Sequence, residues 1–230
     1  MSAMQNRSLL AILLAAALAG AAAQPATAAE GASRLGLDDF STAKVGNFPK
    51  RWRTWPLQRS AAERVYSIGE EGGKRFIKAY DAEDASQQIF LSFPWALAER
   101  PTLSWRWRAT MLPEGAKESD DATNDSACGV YVTFGRTSGH AIKYVWSTTL
   151  PAGTVVTRRG GDLKIKVLDS GAARLKSWTP HAVNVLADYE ALFGKKAEKD
   201  PSGIGILTDG NAVHKPAGCD YNGFAIEGAS

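Results

Sequence analysis

Long apolar runs are nearly absent from this sequence. After residue 28 none approaches the roughly 20 apolar residues that a membrane-spanning helix needs, which excludes a transmembrane segment in that part of the chain. Cysteine and histidine are scarce, at two and three residues. There is no C-x-x-C and no histidine pair at ligand spacing, so no metal centre is expected. His140, His181 and His214 stand singly and are read as structural or solvated. A charge excess is missing too. Without residues 1–28, which hold Arg7 and no acid, the chain carries 26 basic against 24 acidic residues. Basic residues come in short pairs such as Lys50-Arg51, Arg158-Arg159 and Lys195-Lys196, not in a stripe, which argues against nucleic acid as a partner. G-x-S-x-G, H-E-x-x-H and the P-loop are all absent. Ser41-Thr42-Ala43-Lys44 fits S-x-x-K, but it follows a strand-like run and no K-T-G accompanies it, so the match is read as chance. No catalytic residue, metal ligand or cofactor is assigned.

What is present begins with a targeting pattern. Arg7 precedes a charge-free apolar run from Leu9 to Ala23, and Ala26-Thr27-Ala28 follows as an A-x-A cleavage site. Residues 1–28 are therefore read as a secretory signal peptide, and residues 29–230 as one domain that is periplasmic or secreted. The richest stretch lies further on. Leu103, Trp105, Trp107 and Ala109 alternate with Ser104, Arg106, Arg108 and Thr110, the period of two that marks a half-buried strand. Glu70-Glu71-Gly72-Gly73 and Arg159-Gly160-Gly161-Asp162 each sit between strand-like runs and read as hairpin turns. Amphipathic helices do not alternate with the strands, which disfavours a parallel α/β fold. The expectation is an all-β, two-sheet, jelly-roll-like β-sandwich of about ten short strands. One short helix is expected, from Ala187 to Phe193, ended by Gly194.

The order of several pieces resembles a known family. Trp105-Arg106-Trp107-Arg108 comes first, then Asp120-Asp121-Ala122, Val130 to Phe134 (VYVTF) and Lys143 to Ser147 (KYVWS). Asp188-Tyr189, Phe193-Gly194 and Gly205 to Asp209 (GILTD) complete the set. Together they resemble the bacterial domain of unknown function family 3047, from about Asp38 to about Ile226. The resemblance implies an exported bacterial β-sandwich and implies no established activity. One departure is local: the family tends to continue after Thr208-Asp209 with Asp and Asn, and here Gly210-Asn211 follows.

Candidate ligand-binding residues are Arg106, Arg108, Asp120, Asp121 and Tyr131. Arginine offers planar paired donors to carboxylates or sulfates, and tyrosine offers a flat face to a sugar. If the strands bearing them are neighbours, Arg106, Arg108 and Tyr131 line one surface suited to an acidic glycan. The competing reading pairs the arginines with acids such as Asp120 or Asp121, so that they cover the sheet. Trp105 and Trp107 are expected in the core, whereas Trp52, Trp55 and Trp95 adjoin prolines in loops. Calcium is considered for the acidic loop of Glu114, Glu118, Asp120, Asp121 and Asp125, and by fold analogy for Asp38, Asp39 and Glu227. That loop lacks the EF-hand spacing, and solvated side chains are the preferred reading. Cys128 and Cys219 are a candidate disulfide in an exported protein, with two separate buried thiols as the alternative.

The leading functional expectation is a non-catalytic binder of carbohydrate or another envelope ligand. A glycoside hydrolase or polysaccharide lyase on the same sandwich is one alternative, and an envelope protein-interaction module is another.

Overall fold

A computed structural model describes residues 33–135 and 139–228. The signal-peptide reading, with Arg7 and Ala26-Thr27-Ala28, falls outside the described residues. Among the described residues twelve strands make two six-stranded sheets. The first is ordered β10 (Thr179–Asn184), β5 (Thr102–Met111), β12 (Ala217–Glu227), β3 (Lys74–Asp81) and β2 (Tyr66–Glu71), and β1 (Arg34–Asp38) also pairs with β12. The second is ordered β4 (Ile89–Ser92), β11 (Pro201–Leu207), β6 (Cys128–Phe134), β7 (Ala141–Ser147), β9 (Leu163–Ser170) and β8 (Val155–Arg158). Neighbours are antiparallel except β7 and β9.

The two sheets form a sandwich around one core. Alternation on β5 decides which side faces in: Leu103, Trp105, Trp107 and Ala109 join Val130, Val132 and Phe134 of β6 and Ile142, Tyr144 and Trp146 of β7. The ring centroids of Trp105 and Trp107 lie 5.4 Å apart at 73°, an edge-to-face arrangement that aromatic quadrupoles favour. The Trp107 indole donates to Asp169 Oδ2 at 2.6 Å. Cys128 on β6 and Cys219 on β12 are joined, with their Cα atoms 5.4 Å apart, so one covalent link crosses from sheet to sheet inside the core. Both glycine-centred hairpins form, as β2–β3 and β8–β9.

Three details differ from the sequence expectation. The strands number twelve rather than about ten, and the parallel β7–β9 pair and two open sheets depart from a jelly roll. Among the described residues there are two α-helices rather than one: α1 (Arg59–Val65) and α2 (Val185–Phe193). The helix α1 carries little signal, because it buries only Ala62 and Val65 and has no side-chain N-cap. By contrast α2 has both ends marked: the Asn184 side chain accepts from Ala187 N at 2.9 Å, and Gly194 closes it at φ 69°, where a Cβ would be strained. β12 begins at Ala217, well before the Phe224 to Ile226 run. A bulge between Asn222 and Ala225, with Gly223 at φ 72°, breaks its alternation.

Candidate functional site

The outward residues of β5 meet very different fates. Arg108 is spent within the fold. Its Nε and Nη2 lie 2.9 and 2.7 Å from Asp220 Oδ2 on β12, and its Nη1 lies 2.8 Å from Glu71 Oε2 on β2. Burial pushes the Asp220 carboxyl up, and Arg108 opposes that by hydrogen bonds and charge. Arg106, two residues away, has no hydrogen-bonded or ion-paired partner for its side chain among the described residues. Its guanidinium sits 4.8 Å from the centroid of the Trp178 ring, and that of Arg108 sits 4.7 Å from the same ring. Phe76 of β3 meets the ring edge-on at 5.5 Å. Trp178 directly precedes β10, so it shares the outward parity of Pro180 and Ala182 and reaches over β5.

Arg106 lies in an open groove of about 1010 Å³ on this face. Ser104, Asn222 and Gly223 line it with Arg106; Pro180 and Ala182 come from β10, and Arg34, Lys74, Arg75, Asp39 and Glu227 complete the rim. Glu227 accepts from Ser104 Oγ at 2.6 Å and lies 3.4 Å from Arg34 Nε. Asn222 Nδ2 donates to the Arg75 carbonyl at 2.7 Å. The groove therefore mixes cations, amide and hydroxyl groups with two carboxylates. His181 borders it but turns its Nε2 to Asp169, 2.8 Å away in the interior. Burial opposes charge on Asp169, yet His181, Trp107 and Arg174 outweigh it and hold that carboxyl below its ordinary range.

The proposed single surface is corrected here. β5 and β6 belong to different sheets, so Arg106 and Arg108 lie on one outer face and Tyr131 on the other. Arg108 does pair with acids, though with Asp220 and Glu71 rather than Asp120 or Asp121, and Arg106 pairs with none among the described residues. Asp121 meets Arg158, and Asp120 caps its own loop by accepting from Ala122 N at 3.0 Å. The acidic loop also fails to converge. Glu114, Asp120 and Asp121 are exposed, while Glu118 is buried and receives the hydroxyls of Ser126 and Ser147. Asp38 accepts from the Trp52 indole at 3.2 Å and Asp39 from Ser41 N at 2.9 Å, so each candidate from the fold analogy has a protein partner. Trp52 and Trp95 are buried, and Trp55 is 56% exposed.

Sequence reasoning missed a buried acid pair. Asp125 is 1% exposed; its Oδ2 accepts from Val213 N at 2.9 Å, and its Oδ1 has no hydrogen-bond partner. Burial first, and then the facing Asp209, raise the Asp125 carboxyl to about 6. Asp209 also takes the Ser86 hydroxyl. Nearby, burial works against the charge of Lys143, but Tyr131, Asp209 and Glu118 keep it a cation. Gly210 follows the pair where the family tends to have Asp. A Cβ there would stand 2.0 Å from the Lys215 carbonyl, so this tight turn takes only glycine.

Over residues 50–225 the sequence matches the family described as Protein of unknown function (DUF3047). The chain belongs to that family. The DUF3047 match covers both sheets apart from β1 and the end of β12. No curated protein matches. Among solved structures, the chain is similar to a family 11 carbohydrate-binding module from Clostridium thermocellum in complex with a β-1,3-1,4-mixed-linked tetrasaccharide. That pair shows 13% identity, 88% coverage of this chain, 98% of the other and a TM-score of 0.44. It is also similar to the xyloglucanase domain of NopAA, a type three effector from Sinorhizobium fredii, in complex with cellobiose, at 9% identity, 81% and 97% coverage and a TM-score of 0.42. The K3 adhesin domain of Lys-gingipain from Porphyromonas gingivalis gives 13% identity, 84% and 97% coverage and a TM-score of 0.40.

Proposed function

We propose that the protein is exported and binds an acidic glycan, without catalysis, along the outer groove of its first sheet. Arg106 carries the proposal: a guanidinium without a carboxylate partner among the described residues, 4.8 Å from the centre of the Trp178 ring inside a groove of about 1010 Å³. A planar fork of donors fixed in this way suits the carboxylate of a uronic acid. The rest of the groove suits the remainder of such a sugar. Lys74 and the second amide hydrogen of Asn222 can donate to ring and glycosidic oxygens, and Glu227 and Asp39 can accept from hydroxyls. The same two carboxylates repel a phosphate backbone, and the near-neutral charge of the chain offers a polyanion no broad attraction. A polyhydroxylated ligand with occasional negative charge satisfies both signs.

Calorimetry of the protein lacking residues 1–28 tests this, with oligogalacturonates and matched neutral oligosaccharides. Oligogalacturonates should bind, and more weakly as salt rises, because exposed charge pairs are screened. One hydrogen bond to a charged group contributes about 1.5–3 kcal/mol, so Arg106→Ala should weaken binding roughly 10- to 100-fold with the fold intact. Absence of heat from every acidic glycan, or wild-type affinity in Arg106→Ala, rules the proposal out.

A further inference from the structure

We infer that the outer face of the second sheet holds a separate slot for a sugar ring, gripped by its apolar face. The slot arises from β11. Its Ile204 and Ile206 face the core, so Gly203 and Gly205 face out and leave bare backbone between β4 and β6. Gly203 stands opposite Ser92 on one side and Thr133 on the other, and Gly205 stands opposite Phe90 and Tyr131. The result is a trough of about 330 Å³, at the lower end of the roughly 300–1,000 Å³ usual for small-ligand pockets. Side chains at the two glycines would close it. A Cβ on Gly203 would stand 2.3 Å from the Leu91 carbonyl, and one on Gly205 would stand 3.1 Å from Gln88 Nε2.

The two walls differ in chemistry. On the β4 side stand Phe90 and Trp55, their rings 5.4 Å apart. Trp55 is 56% exposed, yet its segment is tied down. Arg53 and Phe90 exchange backbone hydrogen bonds at 2.9 and 2.8 Å, and Thr54 Oγ1 donates to the Gln88 carbonyl at 3.0 Å. An indole held in place and left in water is a platform for an apolar face. Across the trough stand Thr133, its Oγ1 paired with Ser202 Oγ at 3.0 Å, and Tyr131, which is 7% exposed. The Gln88 amide makes no hydrogen bond among the described residues and can serve both as donor and acceptor. A pyranose has this same asymmetry, a C–H face on one side and hydroxyls around its edge. Among the described residues no carboxylate borders the slot, and Arg159 and His140 also line it. The indole meets the C–H face of the ring, which needs no charge on the sugar, so neutral oligosaccharides are the probe. With sites on opposite faces, one molecule can hold two glycan chains at once.

The experiment uses the protein lacking residues 1–28 and a panel of cellotetraose, xylotetraose, laminaritetraose and maltotetraose. Binding of at least one, with protection of Trp55 from acrylamide quenching, is the expected result. Trp55→Ala should weaken that binding at least tenfold, and Gln88→Ala should weaken it severalfold with an unchanged melting temperature. Oligogalacturonate binding should be unaffected by Trp55→Ala, and neutral binding unaffected by Arg106→Ala. The inference fails if no panel member binds, or if Trp55→Ala binds as wild type. It also fails if Trp55→Ala and Arg106→Ala remove the same ligand, since that places one site, not two. Failure of the acidic-glycan reading alone leaves the neutral binding data untouched.

Discussion

Replacing Asp125 by Asn should make the protein more stable at neutral pH and should flatten its pH dependence. The carboxyl is 1% exposed, one oxygen has no partner, and Asp209 faces it. Burial and that neighbour raise it to about 6, against roughly 3.9 for an aspartate in an unfolded chain. The sign follows from which state holds the proton longer. Below about pH 3 both states are protonated and the folded pair enjoys its full stability. As pH climbs toward and through 6, the unfolded chain has already released its proton while the folded one resists, so stability is lost. A displacement of this size is worth at most about 3 kcal/mol. Asn keeps the shape, carries no charge and presents an NH2 to Asp209. Asp125→Asn should therefore gain roughly 1–3 kcal/mol over wild type at pH 7.5 and about a third of that at pH 4.5. At about 2–4 °C per kcal/mol for a chain of this size, the neutral-pH gain amounts to several degrees. Lys143 and Glu118 near the pair remain in both proteins and cancel from the comparison. Urea unfolding followed by tryptophan fluorescence at pH 4.5, 6 and 7.5, with EDTA present, measures it. Equal destabilisation of the variant at all three pH values would show that Asp125 is ionised throughout, and the shared-proton reasoning would fall.

Two further outcomes follow from the packing. Reducing the Cys128–Cys219 link, or replacing both residues by Ala, should cost about 2–5 kcal/mol, because the bond closes a loop with a sequence separation of 91; identical urea midpoints with and without dithiothreitol would contradict this. On β5 the ranking should be Trp107→Ala and Arg108→Ala far above Arg106→Ala. The first removes a buried aromatic, at about 3–5 kcal/mol. The second strands Asp220, 4% exposed, without its cation, at about 3–5 kcal/mol. The third leaves no orphan and should cost under about 1 kcal/mol; thermal melts in any other order would mean the strand faces are misassigned.

Parity made part of this architecture readable and hid the rest. On β5 the two tryptophans and two arginines alternate without a break, so inside and outside follow from the period of two alone. The same rule placed Cys128 on the inward side of β6. On β12 the rule fails, because Asp220 looks like a loop residue until Arg108 is brought to it from β5. A charge neutralised by a distant partner is invisible to local pattern. The helix α1 was hidden for a different reason: seven residues that bury Ala62 and Val65 make too short a stripe to register.

Parity also assigns a residue to a side of its own strand and says nothing about which sheet that strand joins. That is why Arg106 and Tyr131 read as one surface. The chain leaves β5 of the first sheet at Met111 and enters β6 of the second at Cys128, so the connection between them switches sheets. Outward on β5 and outward on β6 then mean opposite ends of the sandwich. The switch separates two chemistries that share a short stretch of sequence: a free guanidinium on Trp178, and a glycine-floored trough beside Tyr131. The acid pair needs the same non-local information, since Asp125 sits in the connection itself and Asp209 follows β11. All three features arise where segments distant in sequence converge, so their chemistry depends on sheet order, which no spacing along the chain records.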